Sequence, residues 1–298
     1  MQFDTSNSIT TLAKNLLAHH EFVIDVSDWE EVIEMQRRFE NHEGSIRKIA
    51  QLMKSLIVKF PASQNTWLAR IIAVGGISAV RVIDIISPTL TPTSVALSLN
   101  FLCDVAEQSS SSQELMHAVL STGKVLLSGC SMDTLTAVTT PVQQRLRKPP
   151  VGASAQQKEQ YNAIVVVWLT ILACRINDTP FLEATIEQQA QVLATSTSAM
   201  VHDFVCESMA DIARNKSIQQ SEKLSAFAAN CIKVTLTSGA YGKKKAHACG
   251  LAGVVLGLGV KSLRRFNVIP QIVAASKDKQ AQRSGVMILI EQDLQVSF

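Results

Sequence analysis

The glycines and lysines of residues 241–265 are the first candidates for chemistry in this sequence, "YGKKKAHACGLAGVVLGLGVKSLRR". A Walker-type phosphate loop requires four residues between its first glycine and a Gly-Lys-Ser/Thr triplet. Here Val260 separates Gly259 from Lys261, so the Gly-Lys pair is missing. A dinucleotide-binding fingerprint would require glycine where Ser262 stands. The stretch therefore argues against a nucleotide-binding loop.

The glycines fit a helix better than a loop. Ala246, Gly250, Gly253 and Gly257 are spaced four, three and four residues apart, which places them in a narrow strip on one helix face. A glycine inside a helix costs about 1 kcal/mol relative to alanine. Such a cost is reasonable if the strip lets a neighbouring helix approach closely. The spacing predicts a helix-packing strip, with a glycine ending the helix.

Other residue types that could support catalysis lack the necessary partners. His19, His20 and Glu21 form one His-acid group, and His42 and Glu43 form another. Neither has the second histidine, four residues further on, that a zinc protease helix needs. No G-x-S-x-G nucleophile elbow occurs. We therefore expect a non-enzymatic protein without a metal or a cofactor.

The cysteines and the apolar segments indicate an intracellular protein. No two of the six cysteines have a C-x-x-C spacing, and each lies in an apolar stretch, so we expect reduced thiols in a core. The N-terminus has no basic region followed by an apolar run. The longest apolar run, "AIVVVWLTILAC" (163–174), is shorter than the roughly 20 residues of a membrane span. We expect a buried helix there, and a cytoplasmic protein.

Positive charge is concentrated near the C-terminus. Residues 241–283 contain nine lysines and arginines against one acid, Asp278, whereas the whole chain has a net charge of only +3. An asymmetry of this kind indicates a local anionic partner. The predicted anion contacts form two clusters, each at the start of a helix: Lys243, Lys244, Lys245, Lys277, Lys279 and Arg283.

The elements that must position these residues are helical. Most segments of 12 to 20 residues have apolar side chains at helical spacing, as in "EGSIRKIAQLMKSLIVKF", and turn signals typical of hairpins are absent. Predicted helix caps are Ser27 with Glu30, Ser111 with Glu114, Ser154 with Gln157, Thr91 before Pro92, and Thr179 before Pro180. A basic, proline-containing linker at residues 145–157 divides the chain into predicted regions 1–148 and 149–298. The fold class is predicted to be all-α.

An internal repeat indicates how the helices are arranged. Met209, Leu251 and Ile290 occupy equivalent places in three similar helices and lie 42 and 39 residues apart. Paired-helix repeats of the HEAT and armadillo type run about 40–47 residues. The apolar segment "FNVIPQIVAASKDK" fits the first helix of such a pair. We therefore predict an α-solenoid of about seven helix pairs, clear after residue 180 and inferred from helix length before it.

The string "KKKAHACGLAGVVLGLGVKSL" resembles the large HEAT-repeat translational activator of the general amino-acid control kinase. That family shows basic residues followed by Ala-x-Gly-Leu-Ala-Gly, two apolar residues, Gly-Leu-Gly and Ser-Leu. The flanking helices agree, so the resemblance extends over about residues 185–295. His247 and the three successive lysines depart from the family pattern.

The resemblance implies a ribosome-associated scaffold that helps activate the kinase of a translation initiation factor during amino-acid starvation. Its basic clusters would contact ribosomal RNA phosphates or ribosomal proteins. The matched segment opens the region similar to fungal elongation factor three, and the kinase-binding region of the family lies downstream of it. Because the chain stops at "QVSF" inside a repeat, we expect a fragment of a longer protein. A generic HEAT or armadillo adaptor for transport or the proteasome is the alternative, as is an inactive fragment.

Overall fold

The structure is a computed structural model that describes residues 34, 36, 38, 43–108, 112–146, 152–277 and 285–288. Every described element is an α-helix or a short 3-10 helix. The chain divides into two compact units, Met1–Ala153 and Ser154–Phe298. The boundary predicted after residue 148 falls among residues 147–151, outside the described part.

The first unit is built from two layers of helices. One layer contains α1, α3 and α5, and the other contains α2, α4 and α6, so consecutive helices alternate between the layers. The helix bounds are α1 Glu43–Lys59, α2 Gln64–Val74, α3 Gly76–Ile86, α4 Pro92–Gln108, α5 Gln113–Gly129 and α6 Met132–Leu146, with 3-10 turns at Pro61–Ser63 and Ser87–Thr89. This alternation is typical of α-solenoid repeats.

The core of the first unit follows the sequence periodicity. The apolar stripe of α1 and the residue that follows the helix are almost entirely removed from water, as the spacing predicts: Ile46, Ile49, Met53, Leu56 and Phe60. The Phe60 ring meets Trp67 of α2 edge to face, with ring centroids 6.2 Å apart. Burial of such side chains contributes about 1.5–3 kcal/mol each, which stabilises a helix pair that would be marginal in isolation.

The second unit continues the same alternation. Helices α7, α9 and α11 form one layer, and α8 and α10 form the other. The bounds are α7 Ala155–Ile176, α8 Thr179–Thr195, α9 Ala199–Arg214, α10 Glu222–Thr237, α11 Tyr241–Leu258, α12 Lys261–Arg265 and α13 Val268–Ser276. Residues 285–288 are also helical. Each unit therefore has the layered helix pairs of an all-α solenoid.

Helix α7 contains the apolar run that predicted a buried helix. It is long and apolar enough to cross a membrane, but 61% of its most apolar stretch is buried inside the protein. Trp168 and Leu172 are fully buried, and α7 packs against α8 and α9. Its first turn has the predicted capping box, in which Ser154 and Gln157 bond each other's backbone N–H. Helix α7 is thus a core helix of the second unit.

Two of the predicted helix caps are wrong by one residue. Helix α5 is capped by Ser112, whose hydroxyl accepts from the Leu115 N–H at 3.3 Å, so Ser111 is not the cap. Helix α8 is capped by Asp178, which accepts from the Phe181 N–H at 3.1 Å. A neighbouring residue with an oxygen at a suitable position replaced the predicted cap in both cases. The predicted cap at Ser27 lies outside the described residues.

Polar contacts between successive repeats recur at nearly the same sequence separation. Glu159 of α7 accepts hydrogen bonds from the Ser196 hydroxyl (2.5 Å) and from the Thr197 N–H (2.7 Å), 37 and 38 residues further on. Glu183 of α8 accepts from the Ser221 hydroxyl, 38 residues away, at 2.5 Å. In the first unit, Arg145 bonds Asp104 and Glu107, 41 and 38 residues away. The separations match a repeat of about 40 residues.

We expect Glu159→Ala to lower the free energy of unfolding by about 1–3 kcal/mol, because charged acceptors make the stronger hydrogen bonds and their donors would be left without this partner. Urea denaturation followed by circular dichroism measures the change. Lys158→Ala is the matched control, because Lys158 is the exposed neighbour of Glu159 on the same helix. Equal unfolding midpoints for both variants would show that these contacts do not join the repeats.

Candidate functional site

Helix α11 carries most of the residues selected from the sequence. It begins at Tyr241 after Ala240, which makes no side-chain capping bond, and its first turn contains no acid. It ends at Leu258, and Gly259 follows with φ +81°, a left-handed conformation that favours glycine. Residues 257–262 therefore form a helix end and the start of α12, and no strand precedes them in the described second unit.

The predicted packing strip lies against three other helices, α8, α9 and α10. A Cβ at Gly253 would overlap with the Cys206 carbonyl group of α9, and one at Gly257 would lie 2.5 Å from the Ala210 carbonyl oxygen. Real side chains essentially never approach a backbone so closely, so only glycine fits both positions. Here α11 contacts the backbone of α9 directly.

Gly250 differs from the other two glycines because side chains face it. A Cβ there would lie 2.6 Å from Leu193 Cδ1 of α8 and 3.2 Å from Phe227 Cζ of α10. Side-chain ends can shift, whereas a backbone carbonyl within a helix cannot do so without moving the helix. Ala246, the fourth member of the strip, is also buried. Close packing of α11 is therefore most restrictive at Gly253 and Gly257.

Lys244 does not lie where the sequence analysis placed it. Its exposed fraction is only 3%, and its carbonyl oxygen accepts a 3.3 Å hydrogen bond from the Thr235 hydroxyl of α10. Helix α11 is enclosed on all sides from residue 246 to residue 255. The face that bears Lys244 turns toward α10 at the first turn. Lys244 is therefore a core residue and not an exposed anion contact.

Lys243 and Lys245 are exposed on either side of Lys244. Asp203 of α9 raises the pKa of the Cys249 thiol, and Lys245 lowers it. Both charges therefore lie near this thiol, so Lys245 has an acid in its surroundings. Helix α9 presents a row of exposed acids, Asp203, Glu207 and Asp211, at spacings of four residues. The basic start of α11 is therefore next to a helix that carries acidic groups.

The second predicted cluster is described only at Lys277. This residue is exposed and forms the C-terminal cap of α13, whereas the prediction placed it at the start of a helix. Positive charge at a helix C-terminus is favourable because it complements the helix dipole. Lys279 and Arg283 lie outside the described residues.

Sequence reasoning did not select the basic side chains of α12. Lys261, Arg264 and Arg265 are exposed, and all three lie on a helix of one and a half turns. The Arg265 guanidinium lies 5.1 Å from the centre of the Phe266 ring and 3.5 Å from the Ser225 hydroxyl. The signal in the sequence that could have identified them is their position within the basic residues 241–283.

Two histidines lie inside the same part of the second unit. His247 Nδ1 donates to the Lys243 carbonyl oxygen at 2.9 Å, and His202 Nε2 donates to the Ser196 carbonyl oxygen at 3.1 Å. Burial lowers the pKa of His247 below its ordinary value of 6.5. The hydrogen bond to the Lys243 carbonyl oxygen opposes this shift, and the charges of His202 and Lys243 add to it. His247 is therefore a neutral packing residue near neutral pH.

The cysteines have the properties of unreactive core thiols. All six are free, and Cys103, Cys231 and Cys249 are buried. Burial raises the pKa of the Cys206 thiol to about 12 and that of Cys249 to about 11. Because the thiolate is the reactive form, neither is activated as a nucleophile. Among the described residues no group of three or more His, Cys, Asp or Glu side chains is placed to hold a metal ion.

The first unit has a charged cleft of about 350 Å³ between α1 and α3. Its arginines are already paired, Arg47 with Glu43 at 2.7 Å and Arg81 with Glu114 at 2.8 Å. Burial raises the pKa of Asp84 in the cleft wall, and a hydrogen bond from the Thr122 hydroxyl opposes this shift. The arrangement is polar, but it brings together no nucleophile and base.

The described helices define an all-α protein of layered helix pairs, as in an α-solenoid. The chain is 27% identical over 147 residues to Protein ILITYHIA of Arabidopsis thaliana, and the match covers 47% of this chain and 5% of the plant protein. An engineered protein solved by the Northeast Structural Genomics Consortium aligns with 98% of this chain and with 89% of its own chain. The two are 13% identical, and the TM-score is 0.35. No family model matches the chain.

We expect Gly253→Ala to lower the free energy of unfolding by about 1–3 kcal/mol, because overpacking against a backbone outweighs the better helix propensity of alanine. Gly242→Ala on the same helix is the control, since nothing lies within 4 Å of a Cβ there. Thermal unfolding measures both variants. A Gly253→Ala protein as stable as wild type would show that the contact with α9 has room for a side chain.

We expect the chain to lose stability as the pH falls through the His247 range. Its folded-state pKa lies below the unfolded value, so the unfolded chain binds the proton first and stability decreases below about pH 6.5. His247→Gln keeps a hydrogen-bond donor without titrating there. Urea midpoints between about pH 7.5 and about pH 5.5 should therefore fall less in the variant than in wild type. Parallel curves would show that His247 is not responsible.

Proposed function

We propose that this protein is a ribosome-associated HEAT-like scaffold that acts in translational control in the cytoplasm, without catalysis. It would take part in activating the initiation-factor kinase during amino-acid starvation. The observation that carries the proposal is the pair of solvent-exposed lysines at the uncapped start of α11, Lys243 and Lys245. The resemblance over residues 185–295 supplies the biological setting, and the similarity to the plant protein supports a HEAT-like relationship.

The physical basis of the contact is phosphate neutralisation. Residues 241–277 include seven lysines and arginines and no acid. The helix holds the backbones of Lys243 and Lys245 at a fixed separation, whereas their exposed side chains remain flexible enough to reach phosphate groups. Lysine contacts to phosphate position a protein on RNA without reading its sequence. Such binding releases counterions and weakens as salt rises. The kinase would be engaged through parts of a longer protein, as the resemblance implies.

We expect co-sedimentation with purified ribosomes that decreases steeply as salt is raised. Lys243→Glu/Lys245→Glu should weaken binding by at least about tenfold at low salt and reduce the salt slope by about one to two, because each phosphate contact contributes about 0.7–0.9. Lys244 is left unchanged, since replacing a buried residue would confuse unfolding with lost binding.

The control is Lys158→Glu/Lys233→Glu, which makes the same charge change at exposed positions of the same unit. It should bind nearly as wild type does. Equal losses in both double variants would mean that net charge alone holds the ribosome. No sedimentation of a chain that circular dichroism shows to be helical would contradict the proposal and favour the generic adaptor.

A further inference from the structure

Exposed aliphatic side chains are concentrated in the segment that runs from the last turn of α11 to α13. The exposed fractions are 42% for Leu256, 63% for Val260, 51% for Ile269 and 48% for Val273. Of the ten large hydrophobic side chains that are exposed in the described residues, these four fall within 18 consecutive positions. Scattered exposed aliphatics are ordinary, but a concentration of them indicates an interaction surface.

Helix α13 shows that this exposure is built into the fold. Val268 and Ala275 are buried and hold one side of the helix against the unit. Ile269 and Val273, four residues apart, share another face that is open to solvent. The helix therefore packs by one side and presents an apolar stripe on another.

Exposed positive charges occur in the same segment as these aliphatic residues. Lys261, Arg264, Arg265 and Lys277 are all exposed, and no acidic residue occurs between residues 256 and 277. The stacking of Arg265 on Phe266 restrains its guanidinium group. We call the exposed residues between positions 256 and 277 the α12–α13 surface. It combines exposed aliphatic side chains with exposed basic ones.

We propose that the α12–α13 surface binds an amphipathic helix of another protein, with aliphatic residues on one face and acidic residues beside them. Such a helix would cover Ile269 and Val273 and would pair with the basic groups of the same segment. A nucleic acid would use only the charges and would leave the aliphatic side chains in water. The surface is separate from Lys243 and Lys245 along α11, so the inference does not depend on ribosome binding.

The test is fluorescence anisotropy of the full chain with a labelled helical peptide that has leucines at i, i+3, i+4 and i+7 and glutamates on both sides of them. We expect saturable binding. Ile269→Ser/Val273→Ser should weaken it at least tenfold, and Arg264→Glu/Arg265→Glu should do the same. Leu97→Ser/Val125→Ser is the matched control, since these residues are 40% and 41% exposed in the first unit. It should leave the affinity unchanged.

A peptide of the same composition in scrambled order keeps the negative charge but lacks the aliphatic face. It therefore distinguishes recognition of an amphipathic helix from simple charge attraction. Equal binding of both peptides, or a loss only in the arginine variant, would overturn the proposal in favour of simple charge attraction. Tighter binding of oligouridine or of phosphatidylserine vesicles than of the ordered peptide would assign the surface to RNA or to a membrane instead. Self-association in analytical ultracentrifugation that Ile269→Ser/Val273→Ser abolishes would make a second copy the occupant.

Discussion

The direct approach of α11 to the backbone of α9 is the constraint on which the second unit depends. Gly253 and Gly257 leave no room for a Cβ between these helices. The two glycines sacrifice about 2 kcal/mol of helix propensity. Burial of Leu251, Val254 and Val255 on the same helix compensates for this loss. The close contact also fixes how α11 is rotated about its axis, since its interior glycines all lie on one face.

The rotation of α11 about its axis determines which of its basic side chains are exposed to solvent. Successive helical residues point about 100° apart, so three adjacent lysines cannot share one environment. Lys244 turns toward α10, whereas Lys243 and Lys245 turn outward. The positive charge opposes the dipole at a helix start that has no side-chain cap. This arrangement does not stabilise the helix itself, and the proposed contact with phosphate groups would account for it.

Local features of the fold could be predicted from the sequence, whereas features set by the number of neighbouring helices could not. The stripe of α1, the capping box of α7 and the glycine after α11 follow from spacing and residue type. The caps of α5 and α8 were missed because adjacent residues compete for the same N–H groups. The burial of Lys244 depends on α10, which no pattern within α11 reveals. An apolar helical stripe usually predicts burial, but Ile269 and Val273 are exposed. Periodicity identifies such a stripe but does not show whether a neighbouring element covers it.

The two ends of α11 differ in how far nearby acids compensate their positive charge, and the sequence alone does not show this difference. Near its start, Asp203 of α9 lies close to the same Cys249 thiol as Lys245 and reduces the local positive potential. At the other end, Asp211 follows Ala210, which faces Gly257, but Asp211 is paired with Arg214 at 2.7 Å. Residues 256–277 contain no acid, so Lys261, Arg264 and Arg265 act on an approaching partner with less compensation. Opposing charges that are solvent-exposed are screened within about 8–10 Å at physiological salt. A partner that reached both ends would therefore be attracted chiefly at α12, and the lysines of α11 would contribute through close contacts with individual phosphates rather than through a long-range field.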